Sequence, residues 1–152
     1  MDVSTQEQHV VLLLEDNAEL LDILLRSLRR LGNFEVFGAP DGAAGLERFY
    51  EVHPHCVVVD VKMPHLDGYQ FIRALRGDPE TAATPVVILT AMSQDVDRLA
   101  GMISGTDIFL TKPIAPQDLV VAIRNAIATT HDERQSRMEQ LANDTETGPE
   151  GD

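Results

Sequence analysis

One cysteine and no tryptophan occur in the 152 residues, and Lys plus Arg number only 12 against 25 Asp plus Glu. A single thiol rules out an internal disulfide. Because Cys56 lies in the apolar run Cys56-Val57-Val58-Val59, it reads as a small buried hydrophobe rather than a reactive group. The formal charge of −13 argues against a phosphate-backbone binder, since such affinity comes largely from Lys and Arg neutralising phosphates. No apolar stretch approaches the ~20 residues that span a bilayer. Nor does the polar segment from Met1 to His9 have the basic-then-apolar pattern of a signal peptide, so the expected location is the cytoplasm, with no membrane partner. His53-Pro54-His55 lacks a third ligand at a metal-site spacing and reads as a surface turn. No Gly-rich loop follows the first predicted strand, which weakens any nucleotide-binding reading.

What is present suffices for one core, with 43% hydrophobic residues in a chain of single-domain length. Charge is unevenly spread: residues 131–152 carry seven Asp/Glu against two Arg. The expected organisation is a flexible N-terminus over 1–8, one folded domain over 9–130 and an acidic tail over 131–152. Met138 and Leu141 could extend the last helix before the tail becomes too polar to order itself.

Within the domain, short apolar runs alternate with helical periodicity. Val10 to Leu14 reads as a strand, and Leu20, Leu21, Ile23, Leu24, Leu25, Leu28 and Leu31 as the apolar positions of a helix stopped by Gly32-Asn33. Phe34 to Ala39, Cys56 to Asp60, Val86 to Leu89 and Asp107 to Thr111 are the other strands. Helices are expected after Asp41-Gly42, after Asp67, over Asp95 to Ser104 and from Pro116. Five doubly apolar strands alternating with five helices predict an α/β fold: a parallel sheet covered on both faces and joined by right-handed crossovers.

In such a sheet every strand delivers its carboxyl end to the same edge, where ligands bind. The residues closing four of the strands are Glu15-Asp16, Asp60, Thr90-Ala91 and Lys112-Pro113. Any one of them alone is an ordinary turn or cap residue. Together they place three carboxylates in one pocket, where a hard divalent cation, magnesium above all, would keep them ionised. Lys112, the Thr90 hydroxyl and the backbone N–H of Ala91 complete a surface for phosphoryl oxygens. Asp60 is then the natural nucleophile, since carboxylates accept phosphoryl groups as acyl phosphates.

This pattern resembles the receiver domain of two-component response regulators over about residues 9 to 129. Leu14-Glu15-Asp16-Asn17 is similar to the family's acidic pair, Asp60 to its phosphoacceptor, and Met63-Pro64 with Asp67-Gly68 to the loop that follows. Thr90-Ala91 matches the switch hydroxyl and its small neighbour, Phe109 the switch aromatic, and Lys112-Pro113 the lysine before a cis proline.

The resemblance implies a doubly wound, flavodoxin-like (βα)5 sandwich with strand order 2-1-3-4-5. It implies that Asp60 is phosphorylated from a phosphohistidine on a sensor histidine kinase or phosphotransfer protein in a bacterial phosphorelay. Asp16, Asp60 and the Lys62 carbonyl would be direct Mg2+ ligands, with Mn2+ as a substitute, and Glu15 would act through water. Lys112 and Thr90 would hold the transferred group while Phe109 follows Thr90 inward. The face formed by the fourth helix, fifth strand and fifth helix would then change for a downstream protein or a second copy of the chain. Phe109 stands where tyrosine is common, so only the packing half of that switch is kept. Lys62 and Met92 occupy positions that tune hydrolysis, and Met92 is expected to shield the phosphoryl group.

The expected class is therefore a signalling phosphoacceptor and not a metabolic enzyme. A start at Met1 and a Gly-Pro-Glu-Gly-Asp end favour a complete, stand-alone receiver without a DNA-binding output. One alternative is the receiver portion of a longer regulator or hybrid kinase. Another is an acyl-phosphate hydrolase, disfavoured because Val61-Lys62 offers neither an acid-base residue nor a substrate cap.

Overall fold

The computed structural model describes residues 8–63, 66–90 and 107–129. Five strands, β1 (Val10–Leu14), β2 (Glu35–Ala39), β3 (Cys56–Asp60), β4 (Val86–Thr90) and β5 (Ile108–Thr111), form one sheet in the order β2-β1-β3-β4-β5. All neighbours are parallel, as the alternation of strands and helices predicts. The order inside out from β1 is the one the family resemblance implies. Helices α1 (Ala18–Gly32), α2 (Gly42–Val52) and α3 (Gly68–Gly77) are joined by a further helix over 116–129. The helix expected over Asp95 to Ser104 and the tail over 131–152 lie outside the described residues.

β-Branched β3 takes the centre of the sheet, and all five of its residues are buried. Alternate residues along each strand then feed two separate cores. Val11, Leu13, Val58, Val87 and Leu89 pack with Leu24 and Leu28 of α1 and Leu119 and Ile123 of the 116–129 helix. Leu12, Leu14, Val57, Val59 and Ile88 pack with Phe49 of α2 and Phe71, Ile72 and Leu75 of α3. Each fully buried aliphatic or aromatic side chain of this kind contributes about 1.5–3 kcal/mol.

Side-chain caps fix where the helices begin. Asn17 Oδ1 accepts the Leu20 N–H at 3.0 Å, Asp41 Oδ1 the Ala44 N–H at 2.9 Å, and Asp67 with Gln70 forms a reciprocal capping box. α1 and α2 end on left-handed residues, Asn33 with φ 55° and His53 with φ 48°. His53 is thus a helix cap, and His55 staples β1 through its own backbone and ring. Its N–H donates to Val10 O, and its Nδ1 accepts the Val10 N–H, both at 2.8 Å.

Two strand starts differ by one residue from the periodicity. Phe34 precedes β2 and is buried against Gly32, with the Arg124 guanidinium over its ring. Asp107 precedes β5 because its carboxylate is committed elsewhere, accepting from Arg76 Nη2 at 2.6 and 2.7 Å and from the Val86 N–H at 3.2 Å. That cluster lies at the edge where β4 and β5 begin, opposite the edge where the strand ends gather.

Candidate functional site

β1 closes on Leu14 and hands Glu15 and Asp16 to the carboxyl edge of the sheet, while β3 ends on Asp60 itself. β5 ends at Thr111, which puts Lys112 on the same edge. The structure therefore brings together Glu15, Asp16, Asp60 and Lys112, the charged strand-end residues singled out from the sequence. Glu15 and Asp60 are 2% and 6% exposed, whereas Asp16 opens to solvent.

Each oxygen of Asp60 has a donor. Lys112 Nζ lies 2.6 Å from Oδ2, and the Lys62 N–H donates to Oδ1 at 3.1 Å. Glu15 is also held twice, by Lys112 Nζ at 3.2 Å to Oε1 and by the Asn17 N–H at 3.1 Å to Oε2. Pairing of Glu15 with Lys112, 97 residues away, is the contact that reading the sequence missed. It adds a direct role beside the water-mediated one that the resemblance implies.

Burial pushes the Glu15 carboxyl above its ordinary range and the charge of Asp60 adds to this, against the pull of the Asn17 N–H and Lys112. For Lys112, burial works against the ammonium, but the hydrogen bond and charge of Asp60, with help from Glu15, raise it above its usual value. Three carboxylates face one ammonium, so the cluster has room for a cation. One oxygen from each of Glu15, Asp16 and Asp60 comes within 4.8 Å of the others, and this all-oxygen donor set, open at Asp16, fits a hard divalent ion.

Lys112→Met is expected to lower the metal-free stability by about 2 kcal/mol at pH 7, because two buried carboxylates lose their counter-ion. The Glu15 carboxyl, already raised and now without the ammonium that pulls it down, then sits further above its unfolded value. A raised folded value stabilises below the unfolded one and the benefit is lost as pH rises through the folded one. The gap to wild type should close below about pH 4 and widen toward neutrality. Urea unfolding across a pH series, followed by circular dichroism, reads this directly; a gap independent of pH would contradict it.

The other predicted positions distribute as follows. Lys62 is exposed directly after Val61. Phe109 is half-buried on β5 and packs against the core on the α2 and α3 side. The Lys112–Pro113 peptide bond is cis. Thr90 ends β4, with its backbone paired to Thr111. The Thr90 side chain, Ala91, Met92 and Pro64 lie outside the described residues. Cys56 is buried, and desolvation pushes its thiol far up, which suits a core residue. Among the described residues no helix is long and apolar enough to cross a membrane.

With this geometry in place, the chain matches the family model described as response regulator receiver domain over residues 11–124. It is 33% identical over 131 residues to the probable transcriptional regulator ycf27 of Guillardia theta, covering 86% of this chain and 50% of that one. It is 40% identical over 114 residues to the transcriptional regulatory protein PrrA of Mycobacterium tuberculosis, covering 75% and 48%. The chain thus spans about half the length of the curated relatives it matches. Among solved structures, it is similar to a response regulator receiver domain protein from Clostridium thermocellum, with TM-score 0.71, 31% identity and coverage of 81% and 97%. It is also similar to the signal receiver domain of a signal transduction histidine kinase from Syntrophus aciditrophicus, with TM-score 0.71, 27% identity and coverage of 80% and 91%.

Proposed function

The chain belongs to the response regulator receiver domain family, and we propose that it works as a phosphorylation-driven switch in which Asp60 is the phosphoacceptor. The observation that carries this reading is the pairing of Asp60 with Lys112 at 2.6 Å, beside two further carboxylates on one sheet edge. The donor is a phosphohistidine on a sensor histidine kinase or phosphotransfer protein. One Asp60 carboxylate oxygen attacks phosphorus, the bond from phosphorus to imidazole nitrogen breaks, and the nitrogen keeps the electron pair.

This chain's own groups prepare that step. The Lys62 N–H fixes the rotation of the Asp60 carboxylate by holding Oδ1. Lys112, already beside Oδ2 and tethered by Glu15, is placed to move its ammonium onto an oxygen of the incoming phosphoryl group. Asp16, Asp60 and the Lys62 carbonyl are the residues that would hold Mg2+, or Mn2+ in its place, with Glu15 acting through water. When bound, the ion supplies charge neutralisation for the transferred group.

Thr90 and Phe109 carry the event outward, and half-buried Phe109, lacking a phenolic hydroxyl, does so through packing alone. The output is a protein contact made by a cytoplasmic signalling module, not turnover of a metabolite. The reading concerns the receiver and is the same with or without a joined output region.

Incubation with Mg2+ and acetyl phosphate should add one phosphoryl group by intact mass, and EDTA should prevent it. Hydroxylamine should release the group, as it does from acyl phosphates. No uptake under these conditions would overturn the reading.

A further inference from the structure

We infer that the first turn of α2 braces the backbone beneath the phosphoacceptor and thereby sets the site's cation affinity, with Gly42 as a positioning residue. The inference rests on the proposed role of Asp60 and goes beyond it, because the contact it turns on is that of Gly42 with Leu66, neither of them a charged group of the site. Three backbone segments stack in series there, and two glycines permit it. The Gly42 N–H donates to Leu66 O at 2.8 Å. Two residues on, the Gly68 N–H donates to Val61 O at 3.0 Å.

Both approaches are too close for a side chain. A Cβ on Gly42 would run into the Leu66 carbonyl, which is backbone and cannot rotate away as a side chain could. A Cβ on Gly68 would stand 2.7 Å from both Asp60 O and Val61 Cα. The path therefore runs from α2 through Leu66 and Gly68 to the peptide that follows Asp60, the one that leads to Lys62. Position 42 opens a helix whose cap is Asp41, where alanine is at least as good a helix former as glycine. Space against Leu66, rather than helix conformation, is what demands glycine.

The test uses the full chain in three forms: wild type, Gly42→Ala, and Ile72→Val. Ile72 is buried in α3, and its truncation lowers stability without adding an atom to the stack. Binding of Mn2+ without any phosphodonor is followed by the electron paramagnetic resonance of the free ion, and the Mg2+ dependence of acetyl phosphate labelling is measured separately. Gly42→Ala should weaken Mn2+ binding at least five-fold and raise the Mg2+ needed for half-maximal labelling by a similar factor, while Ile72→Val leaves both unchanged.

Equal binding by Gly42→Ala and wild type overturns the brace, as does an equal loss in Ile72→Val. If Gly42→Ala does not fold, Asp41→Ala loosens the same turn without adding an atom, and a loss of less than two-fold in its Mn2+ affinity overturns the brace. A wild type that is never labelled at Asp60 but binds Mn2+ more tightly than Gly42→Ala sinks the functional reading and leaves the brace standing. A wild type that binds no Mn2+ removes both.

Discussion

Asp60→Asn is expected to take up no phosphoryl group from acetyl phosphate under conditions that fully label the wild type. Asparagine has nearly the shape of aspartate, and its amide oxygen can still accept the Lys62 N–H that now reaches Oδ1 at 3.1 Å. The local backbone therefore stays in place while the nucleophile is gone, since a neutral amide cannot form an acyl phosphate. Lys112 keeps its second partner, Glu15 Oε1 at 3.2 Å, and is not left as a lone buried ammonium. The variant also drops one of the three carboxylates able to face a cation, so Mn2+ binding should weaken by at least ten-fold. Thermal unfolding should move by only a few degrees, because the lost ion pair is offset by relief of repulsion among the remaining acids. Labelling retained by Asp60→Asn would place the phosphoacceptor elsewhere and end the reading.

How much of this was legible in the sequence depends on whether a signal is local. The strands were readable because a β-branched run such as Cys56-Val57-Val58-Val59 needs burial on both faces, and the parallel arrangement followed from strict alternation with helices. From there the site followed by topology alone, since parallel strands share one carboxyl edge and their closing residues must meet. Strand order came from the family resemblance, not from periodicity, because nothing local records that β1 lies between β2 and β3.

Contacts made by residues that have many ordinary uses stayed hidden. Glu15 and Lys112 are 97 positions apart, and Arg76 and Asp107 are 31 apart, each an unremarked charge in its own segment. Gly42 after Asp41 read as a helix start, which it is, but its approach to Leu66 depends on how α2 and the loop after β3 meet in space. The Asp107 position also explains why β5 begins one residue later than its apolar pattern suggests.

Arg76→Ala is expected to cost about 3–5 kcal/mol, the largest stability loss of any single change considered, because it strands a charge in the interior. The Asp107 side chain is fully buried, while that of Arg76 is 15% exposed. The guanidinium Nη2 meets both carboxylate oxygens, and Nη1 donates to Ala82 O and Thr84 O, each at 2.9 Å. One side chain thus ties the end of α3, the turn before β4 and the entry to β5. Truncation removes all four bonds and takes away the cation that faces the Asp107 carboxylate in a low-dielectric setting. Against a total of about 5–15 kcal/mol for a domain of this size, that leaves a marginal fold. Arg76→Lys should recover little, since an ammonium cannot reproduce the planar fork. Adding Asp107→Asn to Arg76→Ala should return about 1–2 kcal/mol, because the stranded group becomes neutral while the amide oxygen still accepts from Val86. Urea unfolding of wild type, Arg76→Ala, Asp107→Asn and the double variant by far-ultraviolet circular dichroism forms the cycle, and a loss below about 1 kcal/mol for Arg76→Ala would reduce the clamp to an ordinary surface pair. Because the clamp is at the edge opposite Asp60, the folded fraction of Arg76→Ala should bind Mn2+ as the wild type does. That outcome separates the residues that hold this domain together from those that make it a switch.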